Sequence, residues 1–465
     1  MRRCLSEHVP SVLVATLSAA FGVSLLEVTS VLATVISADE VTGSSGAVGM
    51  LLFIVAIVFI VIAVFVGTIV TSNTFSTIID GRTRTIALLR LIGSSAADQR
   101  RSVAREGFTV GVVGAILGAV VGTLVTMLLV AVSVSTGFIP MLGYAYLQPV
   151  LLLPIIAVVL TTWLASWIGS RRVLHVSPMQ ATGVAIEMSR EEAGGRRGRN
   201  VVAITLFATG IGFLVLGMLV GLVSPLGVLI GVVGGLLSFT GLVLGARLVM
   251  PVALQLTGRM FGSSATARLA AENAVRYPER SSRTTIGLVI GVTLVTMFAV
   301  AVESYRQMIL QAQALRPGVF EGVDHTLTVT VGVFSVLMGF SALIAAIGMV
   351  NNLSLSVLQR TRELGLLRAL GFTSRQVRSM ILAESAQLTV TAVLVGLVLG
   401  IFYGWAGAQS LLGSIQGGAG FVLPAVPLAL VGILVVAAAA LTLVASIAPS
   451  RRATRIAPVA ALAAE

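Results

Sequence analysis

The sequence predicts an all-α fold: a polytopic membrane protein of ten transmembrane helices arranged as 4 + 2 + 4 around an internal repeat. Three observations predict it. Hydrophobic residues make up 57% of the chain and charged residues only 10%, whereas a soluble domain carries roughly a quarter charged residues. Ten apolar stretches each approach or exceed the ~20 residues needed to cross ~30 Å of hydrocarbon. Finally, RTRTIALLRLIG at 82–93 returns as RTRELGLLRALG at 360–371.

The first stretch, 11–35, follows Arg2 and Arg3 and contains the small run Ser18-Ala19-Ala20, features shared with a signal peptide. Its apolar character continues well past that run, so it is expected to be an uncleaved span. The others lie at about 49–77, 107–134, 148–169, 200–222, 227–250, 283–305, 327–355, 386–411 and 425–447. The mixed-charge, glycine-bearing stretch 191–199 between the fourth and fifth spans suits a linker. Three units result: a four-span module at 1–182, a linker and two-span hairpin at 183–263, and a second four-span module at 264–465.

Net charge is +12, and every basic side chain is arginine. With ten spans both termini share one side. All arginines except Arg247, Arg306 and Arg316 then fall in segments facing that side. The positive-inside rule makes it the cytoplasm, and the expected location is a bacterial inner membrane. The arginines line a membrane face, where lipids are the natural neighbours, and nucleic acid is an unnecessary explanation. The loops on the other side are too short to fold as a domain.

Lysine is absent. A P-loop needs G-x-x-x-x-G-K-[ST], so this chain has none, and any ATPase activity is expected in a partner chain. The lone Cys4 allows no internal disulfide. His8, His175 and His325 share no metal-ligand spacing. No catalytic, cofactor or metal residues are expected. Glu27, inside the first apolar run, is the ionisable residue of most interest. It lies toward the outer end, with Glu303 and Asp324 near the same surface, so solvation at the boundary is an equal alternative to a role in function.

The repeat extends beyond its core. At an offset of 278, Asn73 pairs with Asn351, Glu106 with Glu384, Gly118 with Gly396 and Gly122 with Gly400. Ser170-Arg171-Arg172 and Pro178 return as Ser450-Arg451-Arg452 and Pro458, at an offset of 280. In each half the second span is expected to continue out of the membrane and end at a glycine, which tolerates a left-handed cap. A short amphipathic helix is expected next, with Ser374 as its N-cap and Val377, Met380 and Ile381 on one face. Gly114, Gly118 and Gly122 in one third span, and Gly396, Gly400 and Gly404 in the other, recur every four positions, which lets backbones approach closely.

R-x-x-E-x-G-L-L-R-A-L-G, a short helix and a closing S-R-R…P together resemble the signature of FtsX/MacB-type permeases, the membrane subunits of type VII ABC transporters. Residues 267–280 are similar to the elbow helix that precedes such a module. The resemblance spans both halves and implies that the helices near 94–105 and 373–385 dock on separate ABC ATPase subunits, two per chain. The coupling residues it implies are Arg90, Gly93, Arg100 and Arg101 in the first half and Glu363, Arg368, Gly371, Arg375 and Arg378 in the second. Thr85 stands where Glu363 supplies an acid, so the two contacts are expected to be unequal. The family's best-known members carry large outer domains that this chain lacks. The function implied is export or extraction of an amphipathic or lipid-like substrate. The alternative is a mechanotransmitter that signals ATP hydrolysis to a cell-wall enzyme or sensor. A secondary transporter would need more ionisable groups in mid-membrane than Glu27 alone.

Overall fold

A computed structural model describes residues 2–38, 92–170, 197–261, 278–315, 370–414 and 421–455, with Glu272 and scattered positions between 50 and 89. Every regular element among them is helical. In chain order these are α1 (Arg2–Ala38), α2 (Ala96–Ser135), α3 (Leu152–Gly169), α4 (Arg197–Gly221), α5 (Gly227–Leu244), α6 (Ala246–Gly258), α7 (Pro278–Leu315), α8 (Ser374–Leu412) and α9 (Leu428–Arg455).

Seven of the described helices are long and apolar enough to cross a membrane, running at Ser11–Val35, Ala97–Ser135, Pro149–Ile168, Gly198–Gly221, Gly227–Leu244, Thr285–Ala314 and Ser374–Leu412. They match seven of the ten expected spans. The described apolar part of α9, Val431–Ala440, is shorter. The second and eighth expected spans, at 49–77 and 327–355, lie mostly or wholly outside the described residues, as does most of the 267–280 elbow.

In the first half α1 packs along α2, and α2 along α3; in the second, α7 packs along α8, and α8 along α9. The glycine stripes set both contacts. A Cβ on Gly118 would lie 2.4 Å from the Thr16 carbonyl oxygen and 2.5 Å from the Ala19 Cβ. One on Gly400 would lie 2.4 Å from the Thr296 Cβ. Only hydrogen fits at such an approach. The stripes are packing devices, as their spacing predicts.

α4 and α5 form the central hairpin, which Gly210, Gly217, Gly234 and Gly241 bring backbone to backbone. The hairpin and α6 lie against α8. Gln387 Nε2 donates to the Leu254 carbonyl at 2.8 Å, Thr257 and Thr391 share a hydroxyl contact at 2.6 Å, and Ser238 and Tyr403 share one at 3.0 Å. Each bond satisfies a polar group that hydrocarbon would leave unpaired.

The ends of both helix pairs away from Gly93 and Gly371 are closed by packed loops. In the first half Ile139 joins Val31, Leu32, Val35 and Val130, and Gln148 Nε2 donates to Ser30 Oγ at 2.8 Å. In the second half the segment after α8 is pinned by Trp405 Nε1 donating to the Val422 carbonyl at 2.6 Å and by the Val422 N–H donating to Gln409 Oε1 at 3.2 Å.

Candidate coupling site

Each half builds the same elbow. Gly93 has φ +102° and Gly371 φ +99°. Both lie in the left-handed region, which costs other L-residues roughly 1–2 kcal/mol. Before Gly93 the chain closes a Schellman motif, in which the Ser94 N–H donates to the Leu89 carbonyl at 3.0 Å. Two residues after each glycine the next helix begins under a side-chain cap. Ser95 Oγ accepts from the Asp98 N–H at 3.0 Å and donates to the Asp98 carboxylate at 2.6 Å. That carboxylate also suits the positive end of the helix dipole.

In the second half the cap is Thr373, one residue earlier than expected. The Gln376 N–H donates to Thr373 Oγ1 at 3.2 Å, and the Thr373 N–H donates back to Gln376 Oε1 at 2.9 Å. This reciprocal capping box satisfies two orphan donors, which Ser374 could not do from inside the first turn. The pattern T-x-x-Q at 373–376 was the available signal.

A second correction concerns the helix itself. No separate short helix follows either glycine. α2 runs unbroken for 40 residues and α8 for 39, because nothing at 105–110 or 385–390 interrupts helical backbone. At 1.5 Å per residue each is roughly 60 Å long, about twice the hydrocarbon thickness. The element expected as a separate short helix is therefore the first turns of a long apolar helix.

Val377, Met380 and Ile381 are buried on one face as the spacing predicts, and Arg375 and Arg378 are exposed. In the first half Arg101 is exposed, whereas the Arg100 guanidinium sits 4.4 Å from the centroid of the Trp167 ring. Ser166 Oγ adds a bond to the Val103 carbonyl at 2.8 Å, so the end of α3 holds the start of α2. Arg90, Glu363 and Arg368 lie outside the described residues. The sequence reading missed Ile92 and Leu370, which stand just before the two glycines at repeat-equivalent positions. They are 81% and 71% exposed. An apolar side chain displayed twice at the tip of a polar elbow is the signal that could have found them.

Glu27 belongs elsewhere. It is 2% exposed, inside the α1–α2 contact, so it is not solvated at a boundary. Thr123 Oγ1 donates to Glu27 Oε1 at 2.6 Å, and Ser24 Oγ bonds the Gly122 carbonyl at 3.1 Å nearby. Thr126 also lies on α2 beside the Glu27 carboxylate and acts on it as a hydrogen-bonding side chain. Burial, and after it the Glu27 charge, push the Tyr146 phenol in the loop after α2 above its ordinary range. No group of three or more metal-binding side chains occurs among the described residues.

The FtsX-like permease C-terminal model matches this chain twice, at residues 57–178 and 335–458. The chain belongs to the FtsX-like permease family. Its two matches begin 278 residues apart and end 280 apart, the offsets of the sequence repeat. Relatives of this FtsX-like permease are ABC transporter permeases. One is the uncharacterized ABC transporter permease YknZ of Bacillus subtilis, 36% identical over 19% of this chain and 22% of its own length. The ABC transporter permease YtrF of the same organism is 30% identical over 25% of this chain and 28% of its own. The pyoverdine export ATP-binding/permease protein PvdT of Pseudomonas syringae is 32% identical over 30% of this chain and 20% of its own. Each match spans less than a third of the relative. Membership and the apolar helices make the FtsX-like permease a multi-pass membrane protein of the ABC transporter permease class, a class that works with ABC ATPase subunits.

Proposed function

We propose that this FtsX-like permease couples ATP hydrolysis by two separate ABC ATPase subunits to export or extraction of an amphipathic or lipid-like substrate. The observation that carries the reading is the pair of matched elbows, each displaying one apolar tip, Ile92 or Leu370, just before a left-handed glycine and a capped helix. Each tip fills an apolar recess on one ATPase, while Arg101 on one side and Arg375 and Arg378 on the other pair with acidic groups at its rim. Arg90, Glu363 and Arg368 flank the tips in sequence and complete the two contacts. The elbows face the cytoplasm in this reading, which the arginine distribution supports.

The absence of lysine, and hence of a P-loop, assigns nucleotide chemistry to the partner. Substrate class follows from the short outer loops: nothing there can capture a large soluble ligand, so substrate enters laterally from the bilayer. The three-unit division, with modules at 1–182 and 264–465 and a hairpin unit between, belongs to this reading.

The test is co-purification with a cognate ABC ATPase and measurement of ATP hydrolysis in lipid nanodiscs. Leu370→Asp and the pair Arg375→Glu and Arg378→Glu should weaken the complex, while Arg306→Glu, at the far end of α7, should not. Absence of any complex, together with ATP hydrolysis indifferent to the permease, would overturn the proposal.

A further inference from the structure

Where the hairpin, the second half and the described part of 58–66 meet, the spans leave a cavity of about 130 Å³. Its walls include Phe65, Phe239, Ile290, Leu294 and Met297. Two hydroxyl-bearing residues, Tyr403 and Thr293, are among its walls, and neither hydroxyl makes the space polar. That of Tyr403 is already paired with Ser238 at 3.0 Å. That of Thr293, on a residue 3% exposed, is buried with no hydrogen-bond partner.

Water does not suit this space, because a buried water needs two to four polar partners. An empty void forfeits dispersion contacts on all its walls. A dry apolar cavity of about this size, ~150 Å³, holds a benzene-sized guest in a soluble protein. Here the surrounding solvent is itself hydrocarbon. Rigid aromatic walls bound the space, with Phe239 lying 6.2 Å from both Phe65 and Tyr403, centroid to centroid. Gly235 and Gly407 line it, and a Cβ built on either meets nothing within 4 Å. The two glycines keep the space open where larger residues would fit without a clash.

We infer that this cavity seats the terminal segment of one alkyl or acyl chain entering from the bilayer. The inference deepens the transport reading by assigning that substrate's chain a site between the two halves. A resident phospholipid offers the same chemistry.

The test uses the full chain in nanodiscs doped with a phosphatidylethanolamine carrying a diazirine near the end of one acyl chain. After irradiation, labelled peptides are mapped by mass spectrometry without ATPase or nucleotide, so failure of the ATPase pairing leaves the result intact. Label is expected on peptides containing Phe239, Met297 and Tyr403. Gly235→Leu and Gly407→Leu, which fill the cavity, should each lower it by about tenfold, equivalent to about 1.4 kcal/mol of lost affinity. Gly212→Leu adds the same bulk on the exposed face of α4, where a Cβ also meets nothing, and should leave label unchanged. Thermal unfolding of each variant controls for folding. Equal labelling of the wild type and both cavity variants, or label absent from all three peptides, would overturn the inference. Adding a cognate ATPase and ATP separates the sources: label lost on turnover marks transported lipid, and label that persists marks a resident one.

Discussion

The α1–α2 pair of the first half and the α7–α8 pair of the second are built on the same glycine stripe, yet they differ in what else they touch. In α8, Gln387, Thr391 and Tyr403 bond to the hairpin and α6, and Gly221 presses on Ser410. At the repeat-equivalent positions α2 carries Thr109, Val113, Val125 and Val132, and all but the half-buried Val125 are exposed. Inside the contact the difference reverses. The first pair holds Glu27 against Thr123, whereas the second has Ile401 and Gly404 where α2 has Thr123 and Thr126. The repeated contact thus occurs once as a pair that holds Glu27 against Thr123 and once as a pair covered by the hairpin, with Thr296 against Gly400. The two contacts share their geometry, and the surfaces around them differ.

The largest effect should come from the part the two pairs share. Gly118→Val and Gly400→Val put methyl groups where 2.4 Å separates a Cβ from its neighbour. Each should cost about 3 kcal/mol or more, read as loss of monodisperse protein and a lower Tm. A mild effect in one half alone would break the equivalence. At the elbows, Gly93→Ala and Gly371→Ala should each cost about 1–2 kcal/mol through the left-handed backbone. They should also lower permease-stimulated ATP hydrolysis, and a larger fall for one would rank the two contacts.

The uncommon parts should yield smaller, one-sided effects. Gln387→Leu removes the shorter of two side-chain donors to the Leu254 carbonyl, leaving Thr257 Oγ1 at 3.2 Å, and should cost about 1 kcal/mol, while Thr109→Leu, at the matching position, should be neutral within about 0.5 kcal/mol. Equal losses at both sites would mean that the hairpin is not specific to the second half. Smallest of all, Arg100→Met removes the charge above Trp167 and should cost about 0.5–1 kcal/mol, measured as a shift in thermal unfolding.

These contrasts explain which features a sequence can show. Helices declare themselves locally, so seven expected spans reappear with boundaries displaced by only a few residues at most ends. The glycine stripe was legible because its four-residue spacing is the packing requirement itself. Thr373 was hidden behind Ser374 since both are good caps, and only the reach of Gln376 distinguishes them. The unbroken course of α2 and α8 was misread because a change from polar to apolar residues looks like an element boundary, while the backbone has no reason to stop. Arg100, singled out as a coupling residue, lies over Trp167, a contact between residues 67 positions apart. Glu27 was recognisable as unusual, but its burial depended on Thr123 arriving from another helix. The cavity around Phe239 had no signature at all, being a space between side chains.

The continuity of α8 has a mechanical corollary. A helix of 39 residues without proline in its course is a stiff rod roughly 58 Å long. Its capped end stands at the elbow, and its far end meets the loop that follows it through Gln409 and Trp405. A tilt of about 5° about one end displaces the other by about 5 Å, close to one helical turn. On the proposed coupling, a push on the elbow would reach the loop at the far end of this rod as a lever movement.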